Sequence, residues 1–195
     1  MWLKYRPRYR YVNKKSQSRR IRGKAVVISN HNSVYDFALM LMTFPCRDLR
    51  YLMAEVLFKK KRLAWFLKNM GGIVVDRDAK DMSFLKTAAD LLAKGRVVGS
   101  FPEARLHRPE EDKDILLPFV PSTALLALKA DAPIIPVYIS HNNKGFYKYN
   151  IIIGGKLRLS EFCDYNDVDA DKLKELSAML RDKVIELGKN QKAKG

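Results

Sequence analysis

A chain of 195 residues with 47% hydrophobic and 30% charged side chains can bury the core of one domain, and its composition excludes a disordered or low-complexity segment. The formal charge of +16 points to an anionic partner: nucleic acid, an acidic protein or an anionic membrane surface. Cys46 and Cys163 stand far apart without a ligand-spaced neighbour, which argues against a disulfide framework or a zinc site and makes a reducing compartment the default.

The first 24 residues form a basic, aromatic arm ahead of a domain spanning 25–195. Lys4, Arg6, Arg8 and Arg10 alternate with Tyr5, Pro7, Tyr9 and Tyr11, so an extended chain has a cationic and an aromatic face. Such a ribbon suits an anionic headgroup layer as well as a solvated edge strand. No apolar core region of a signal peptide follows it. Phe37 to Cys46 is too short to span a bilayer and Ile115 to Leu128 is broken by Pro118 and Pro121, so no transmembrane segment is expected.

Ala25 to Ile28 reads as a buried strand that runs into a polar turn, with a helix starting near Ser33. Phe37 to Thr43 continues that helix until Pro45 ends it. Leu49 to Ala54 is a second strand, and Val56 to Met70 a basic amphipathic helix. Core packing explains its apolar stripe ahead of a membrane surface. Gly71-Gly72 stops it before a third strand, Ile73 to Val75.

A helix from Met82 to Lys94 closes at Gly95, and Val97 to Phe101 is a fourth strand. Ser122 to Ala130 is helical. Ile134 to Ile139 is a fifth strand, with Pro133 and Pro136 at positions suiting an edge or a strand start. Ile151 to Ile153 and Leu157 to Leu159 add short strands, and Asp171 to Leu187 closes the chain as a helix. Strands alternating with helices predict a single-domain, layered α/β fold with a largely parallel central sheet.

Sites in such folds gather at the carboxyl ends of strands, where His31, Asp36, Arg77, Glu103 and Arg105 all fall. Residues five apart lie about 140° apart on one helix, so His31 and Asp36 meet only if His31 is on the turn and Asp36 in the first helical turn. There the carboxylate fixes the imidazole tautomer and leaves the other ring nitrogen to act as a base. Ser33-x-x-Asp36 equally fits a capping box. Arg77 equally suits an ion pair with Asp76 or Asp78, and Glu103 hydrogen bonding to strand-end amides. His107 and His141 lie in polar loops and are given no role.

Asn30-His31-x4-Asp36, Gly71-x-x-Val74-Val75-x-Arg77, Phe101-Pro102-Glu103 and Ala132-Pro133-Ile134-Ile135-Pro136-Val137, in this order, resemble the four motif blocks of the glycerophospholipid acyltransferases, most closely the bacterial 1-acylglycerol-3-phosphate acyltransferases. The family's Gly-Thr-Arg-Ser after Phe-Pro-Glu reads Ala104-Arg105-Leu106-His107 here, with the arginine one residue early. Its Phe-Lys-x-Gly reads Phe119-Val120-Pro121-Ser122, without the lysine.

The resemblance implies transfer of a fatty acyl group from acyl carrier protein or acyl-CoA to the free hydroxyl of a lysophospholipid, with no metal, no bound cofactor and no covalent acyl-enzyme. It makes His31 and Asp36 catalytic and has Arg77, Glu103 and Arg105 bind the acceptor's phosphate end. With no spanning segment, a basic surface and a reducing compartment expected, such an enzyme is expected to sit peripherally on the cytoplasmic side of the cell membrane. Two rival classes remain at this stage. A nucleic-acid-binding α/β module accounts for the charge but not for the His31 turn. A thioesterase-like hydrolase needs a nucleophile, yet no Gly-x-Ser-x-Gly elbow is present.

Overall fold

Ala25-Val26-Val27-Ile28-Ser29 is buried at every position, as a central strand covered on both faces must be. In the computed structural model, which describes residues 8–11, 19–44, 49–75, 83–106, 108, 115–142 and 148–192, this strand is the middle of a seven-stranded sheet. The strands are β1 (Arg8–Tyr11), β2 (Ala25–Ser29), β3 (Leu49–Ala54), β4 (Gly72–Val75), β5 (Val97–Ser100), β6 (Ile134–Asn142) and β7 (Lys148–Ile153). Their order is β1-β7-β6-β2-β5-β3-β4, and every pair is parallel except β6 with β7. The α/β class and the largely parallel sheet are as expected from the sequence.

Among the described residues five helices cover the sheet: α1 (Asp36–Thr43), α2 (Lys61–Asn69), α3 (Ser83–Ala93), α4 (Pro121–Lys129) and α5 (Ala170–Lys192). The chain moves outward from β2 to β3 and β4 through α1 and α2, then back to β5 and β6 through α3 and α4. Right-handed crossovers put the two sets of helices on opposite faces when the direction reverses. The core divides accordingly. Val26, Ile28 and Val98 pack with Leu92, Leu126 and Leu180 on one face, whereas Val27, Tyr51 and Val97 pack with Met40, Phe44 and Leu67 on the other. Alternate residues of β2 thus serve the two cores, the period of two that a strand imposes.

Four local expectations need correction. Val56 to Met70 is not one helix: a 3-10 turn, Glu55–Phe58, is followed by a break at Lys60 in extended conformation before α2. The break lets Phe58 turn inward, where its ring lies against the space a Cβ at Gly72 would occupy. Core packing also fails to account for the apolar residues of this segment. Leu67 is buried, but Val56, Leu57, Leu63, Trp65, Phe66 and Met70 are exposed.

Pro136 lies inside the sheet, paired with Ile28 of β2. Its missing donor is tolerated because even-numbered residues of β6 at this point face β7, whose ladder has already ended; the Pro136 carbonyl still accepts from Gly154 at 2.8 Å. Leu157 forms only an isolated bridge to Ile134, and Leu159–Glu161 is a 3-10 turn instead of a strand. Of the N-terminal alternation, residues 8–11 are described and form the edge strand β1, paired with β7. The remainder lies outside the described residues.

Candidate active site

The sheet positions the turn that follows β2 through its next residue. Asn30 is buried, its amide nitrogen donates to the Ile139 carbonyl at 2.9 Å and its amide oxygen accepts from the Ile139 N–H at 2.7 Å. One side chain therefore makes the two bonds to β6 that a continuing strand would have made with its backbone. The main chain is released there, at the carboxyl edge between β5 and β6, where crossover direction reverses and open α/β sheets form crevices.

His31 comes next. Its Nδ1 is 3.3 Å from Oδ2 of Asp36, the first residue of α1. The same oxygen accepts the backbone N–H of Asn32 at 2.7 Å and of Ser33 at 2.8 Å, and the Asp36 side chain has 0% exposure. The two readings of the spacing thus coexist. Asp36 reaches back to turn amides as a capping carboxylate does, and also meets the imidazole. The helix begins three residues later than expected, with Ser33 and Tyr35 in a turn closed by the Asp36 N–H on the Ser33 carbonyl. In the neutral ring the proton sits on Nδ1, donating to the carboxylate, and Nε2 carries the lone pair.

The imidazole plane is set by stacking. His31 lies on Phe101 with centroids 4.2 Å apart and planes at 14°, and Phe101 lies on Tyr51 at 4.8 Å and 28°. Tyr51 fits because β5 has glycine beside it: a Cβ on Gly99 would stand 2.4 Å from the Tyr51 ring. Burial holds the Tyr51 phenol far above its usual range, so it stays protonated. The Ser29 hydroxyl opposes that shift and the Asp36 charge adds to it.

Glu103, at the carboxyl end of β5, is 4% exposed. Its Oε1 accepts the backbone N–H of His31 at 2.8 Å and its Oε2 that of Leu117 at 2.8 Å. Arg181 of α5 donates to the neighbouring Leu116 carbonyl at 3.0 Å, so the segment across the site is held from both sides. Ala104 follows at φ 60°, a left-handed conformation costly for a residue with a Cβ, at the position where the resembling family has glycine.

Of the site residues expected from sequence, the fold brings together His31, Asp36 and Glu103. Arg105 is exposed, and its Nη1 donates to the adjacent Leu106 carbonyl at 3.1 Å. Arg77 lies outside the described residues, as does His107, and the His141 side chain is not described. Sequence reasoning gave no role to Phe101 beyond a motif position, none to Tyr51 and Gly99, and none to the Asn30 amide. Among the described residues no group of three histidine, cysteine, aspartate or glutamate side chains is arranged to hold a metal. A cavity of about 390 Å³ lies at the opposite, amino edge, lined by Arg22, Lys24, Lys156 and Arg158 among others. Lys24 donates to the Ala130 carbonyl and Arg158 to Asp131, so these cations already serve the end of α4.

A protein-family model described as Acyltransferase matches residues 9–140. The chain is 25% identical over 167 residues to the 1-acyl-sn-glycerol-3-phosphate acyltransferase of Bacillus subtilis (strain 168), an alignment covering 83% of this chain and 80% of that protein. It is similar in fold to the crystal structure of the 1-acyl-sn-glycerophosphate (LPA) acyltransferase PlsC from Thermotoga maritima, with a TM-score of 0.65 at 16% identity over 97% of this chain and 74% of the other.

Proposed function

Since the chain belongs to the acyltransferase family, we propose that it moves a fatty acyl group from a thioester, acyl-CoA or acyl carrier protein, to the free hydroxyl of a lysophospholipid, with 1-acylglycerol-3-phosphate as the acceptor. The substrate class is taken from the similar Bacillus subtilis protein. The observation that carries the chemistry is the His31 Nδ1 to Asp36 Oδ2 contact of 3.3 Å on a turn at the carboxyl edge of the sheet.

The acceptor hydroxyl gives its proton to His31 Nε2 as its oxygen attacks the thioester carbonyl carbon. The resulting tetrahedral intermediate collapses with cleavage of the carbon–sulfur bond, and the thiolate leaves with the proton that His31 held. Asp36 stabilises the transient imidazolium, and no metal or acyl-enzyme is needed. A positioned base contributes about 10² to 10⁴ in rate, and orientation of the two substrates supplies much of the remainder.

The phosphate end of the acceptor falls to arginines, whose planar fork matches phosphate oxygens, and Arg77 and Arg105 are assigned to it. Glu103, expected to bind the acceptor too, is reassigned: with both oxygens on backbone amides, it holds the His31 turn in place. The acceptor is a membrane lipid, so the enzyme works peripherally at the cytoplasmic face of the membrane. No helix among the described residues is long and apolar enough to cross one. Family membership leaves the nucleic-acid and hydrolase readings without support.

The test is an assay of labelled acyl-CoA and acyl carrier protein donors against a panel of lysophospholipids. His31→Ala should lower turnover by about 10² to 10⁴ with an unchanged circular dichroism spectrum. Activity within about tenfold of the parent, or thioester hydrolysis at the transfer rate without any acceptor, refutes the proposal.

A further inference from the structure

The 3-10 turn at Glu55–Phe58 and helix α2 present a surface that the fold leaves uncovered. Leu67 is the one buried residue of α2. On one flank of it, within about 100° around the axis, Leu63, Phe66 and Met70 are exposed. Trp65 stands about 160° from Leu67, turned away from the sheet, and is 70% exposed. Its neighbours on the helix surface, at three or four residues' spacing, are Lys61, Arg62, Lys68 and Asn69, all exposed and three of them cationic. Lys59 and Lys60 extend the basic run, and between Asp48 and Asp76 the sequence has a single acidic residue, Glu55.

Position gives this surface its meaning. β3 is parallel to β5, so the exposed Val56 and Leu57 emerge at the same carboxyl edge as Phe101 and Glu103, and β2, which ends at the His31 turn, is only two strands, or about 10 Å, away. Val34 and Tyr35, exposed in the turn between His31 and α1, belong to that edge as well.

We propose that the Glu55–Phe58 turn and α2 dock the protein onto an anionic lipid bilayer, Trp65 and Phe66 entering the headgroup boundary and Lys61, Arg62 and Lys68 contacting lipid phosphates. An exposed tryptophan ringed by long cationic side chains suits a layer that is apolar below and charged above. Charge complementarity favours an anionic lipid surface over a second copy of this chain, which at +16 repels itself. The proposal rests on the reading of the acceptor as a lysophospholipid and adds the face through which the enzyme meets the membrane that holds it.

The experiment uses the full chain with Trp2→Phe, which leaves Trp65 as the single indole. Phosphatidylcholine vesicles containing phosphatidylglycerol should shift its emission to the blue, and brominated lipids should quench it. Trp65→Ala should abolish the signal and, by co-sedimentation at ~150 mM salt, weaken binding. Lys61→Glu with Arg62→Glu should weaken binding about fivefold or more per charge. Both variants should keep the parent rate on a short-chain, water-soluble lysophospholipid and lose rate on vesicle-embedded acceptor. Emission unmoved by vesicles overturns the proposal. So does a shift that acyl carrier protein alone, or raised protein concentration alone, reproduces. A vesicle-dependent shift in a protein inactive on both acceptors keeps the docking surface and refutes the catalytic reading instead.

Discussion

Replacing Glu103 by glutamine separates holding the turn from binding the acceptor. The two side chains have nearly the same shape, but the carboxylate accepts two backbone N–H groups at 2.8 Å each, from His31 and Leu117, at a site 4% exposed. Glutamine has one acceptor oxygen. Its NH2 must face the second amide, donor against donor, and the surviving bond loses its charge assistance. A hydrogen bond to a charged group contributes about 1.5–3 kcal/mol, and an unsatisfied buried donor costs about 1–3 kcal/mol. The expected loss is therefore about 2–4 kcal/mol, survivable for a domain whose total stability is of order 5–15 kcal/mol. Urea unfolding followed by circular dichroism measures it. In kinetics, a His31 displaced by a fraction of an ångström to 1 Å should lower kcat by about 10- to 100-fold while KM for the acceptor changes little. Stability within about 0.5 kcal/mol of the parent, or a rise confined to the acceptor's KM, refutes the positioning role and returns Glu103 to the acceptor.

Ala104→Gly removes a Cβ from a residue at φ 60°, and should stabilise the protein by about 0.5–1 kcal/mol after glycine's extra chain entropy is subtracted, read as a higher urea midpoint. Gly99→Ala sets a methyl 2.4 Å from the Tyr51 ring; overpacking of this kind costs about 1–3 kcal/mol, and the displaced Tyr51–Phe101–His31 stack should lower kcat as well as the melting temperature. The Asp131 carboxyl is held below its usual range chiefly by the Ser160 hydroxyl, with Arg158 assisting. Its contribution to stability is thus present above the ordinary carboxylate range and lost as pH falls through the depressed value. Ser160→Ala should flatten the acid limb of the stability–pH curve and leave neutral stability slightly lower; an unchanged acid limb counts against that hydrogen bond.

What the sequence disclosed is what depends on near neighbours. A four-residue apolar run, a polar turn and Asp36 lie within a dozen positions, so the strand and the turn were readable from spacing, and the His31–Asp36 pairing as one of two readings beside a capping box. The split of Val56 to Met70 was not, because it depends on Phe58 finding the gap beside Gly72, which exists only once β4 lies next to β3. Periodicity cannot say whether an apolar stripe has a partner, and for α2 it largely lacks one. Pro136 was placed at an edge or a strand start by the rule that sheets reject proline, yet the rule concerns the donor side of one residue. Where β7 stops is a property of the assembled sheet. Glu103 was legible as a polar residue at a strand end, but its partners are 72 and 14 residues away, and no spacing rule reaches them.

The imidazole has separate degrees of freedom, and different segments remove them. The Phe101 ring sets its plane, Asp36 sets its rotation within that plane, and Glu103 sets the backbone from which it hangs. Asn30, through Ile139, places the whole turn relative to the sheet. Only one of these constraints is local in sequence. A ring so restrained gains little from the substrate in being oriented, so binding energy from the acceptor is left for bringing its hydroxyl to Nε2. Loosening any constraint should then appear in kcat and spare KM, whereas losses at Arg77 or Arg105 should appear first in the acceptor's KM. A variant of Phe101 that raised only KM would break this division, because a ring that merely stacks on His31 has no contact with the acceptor to lose.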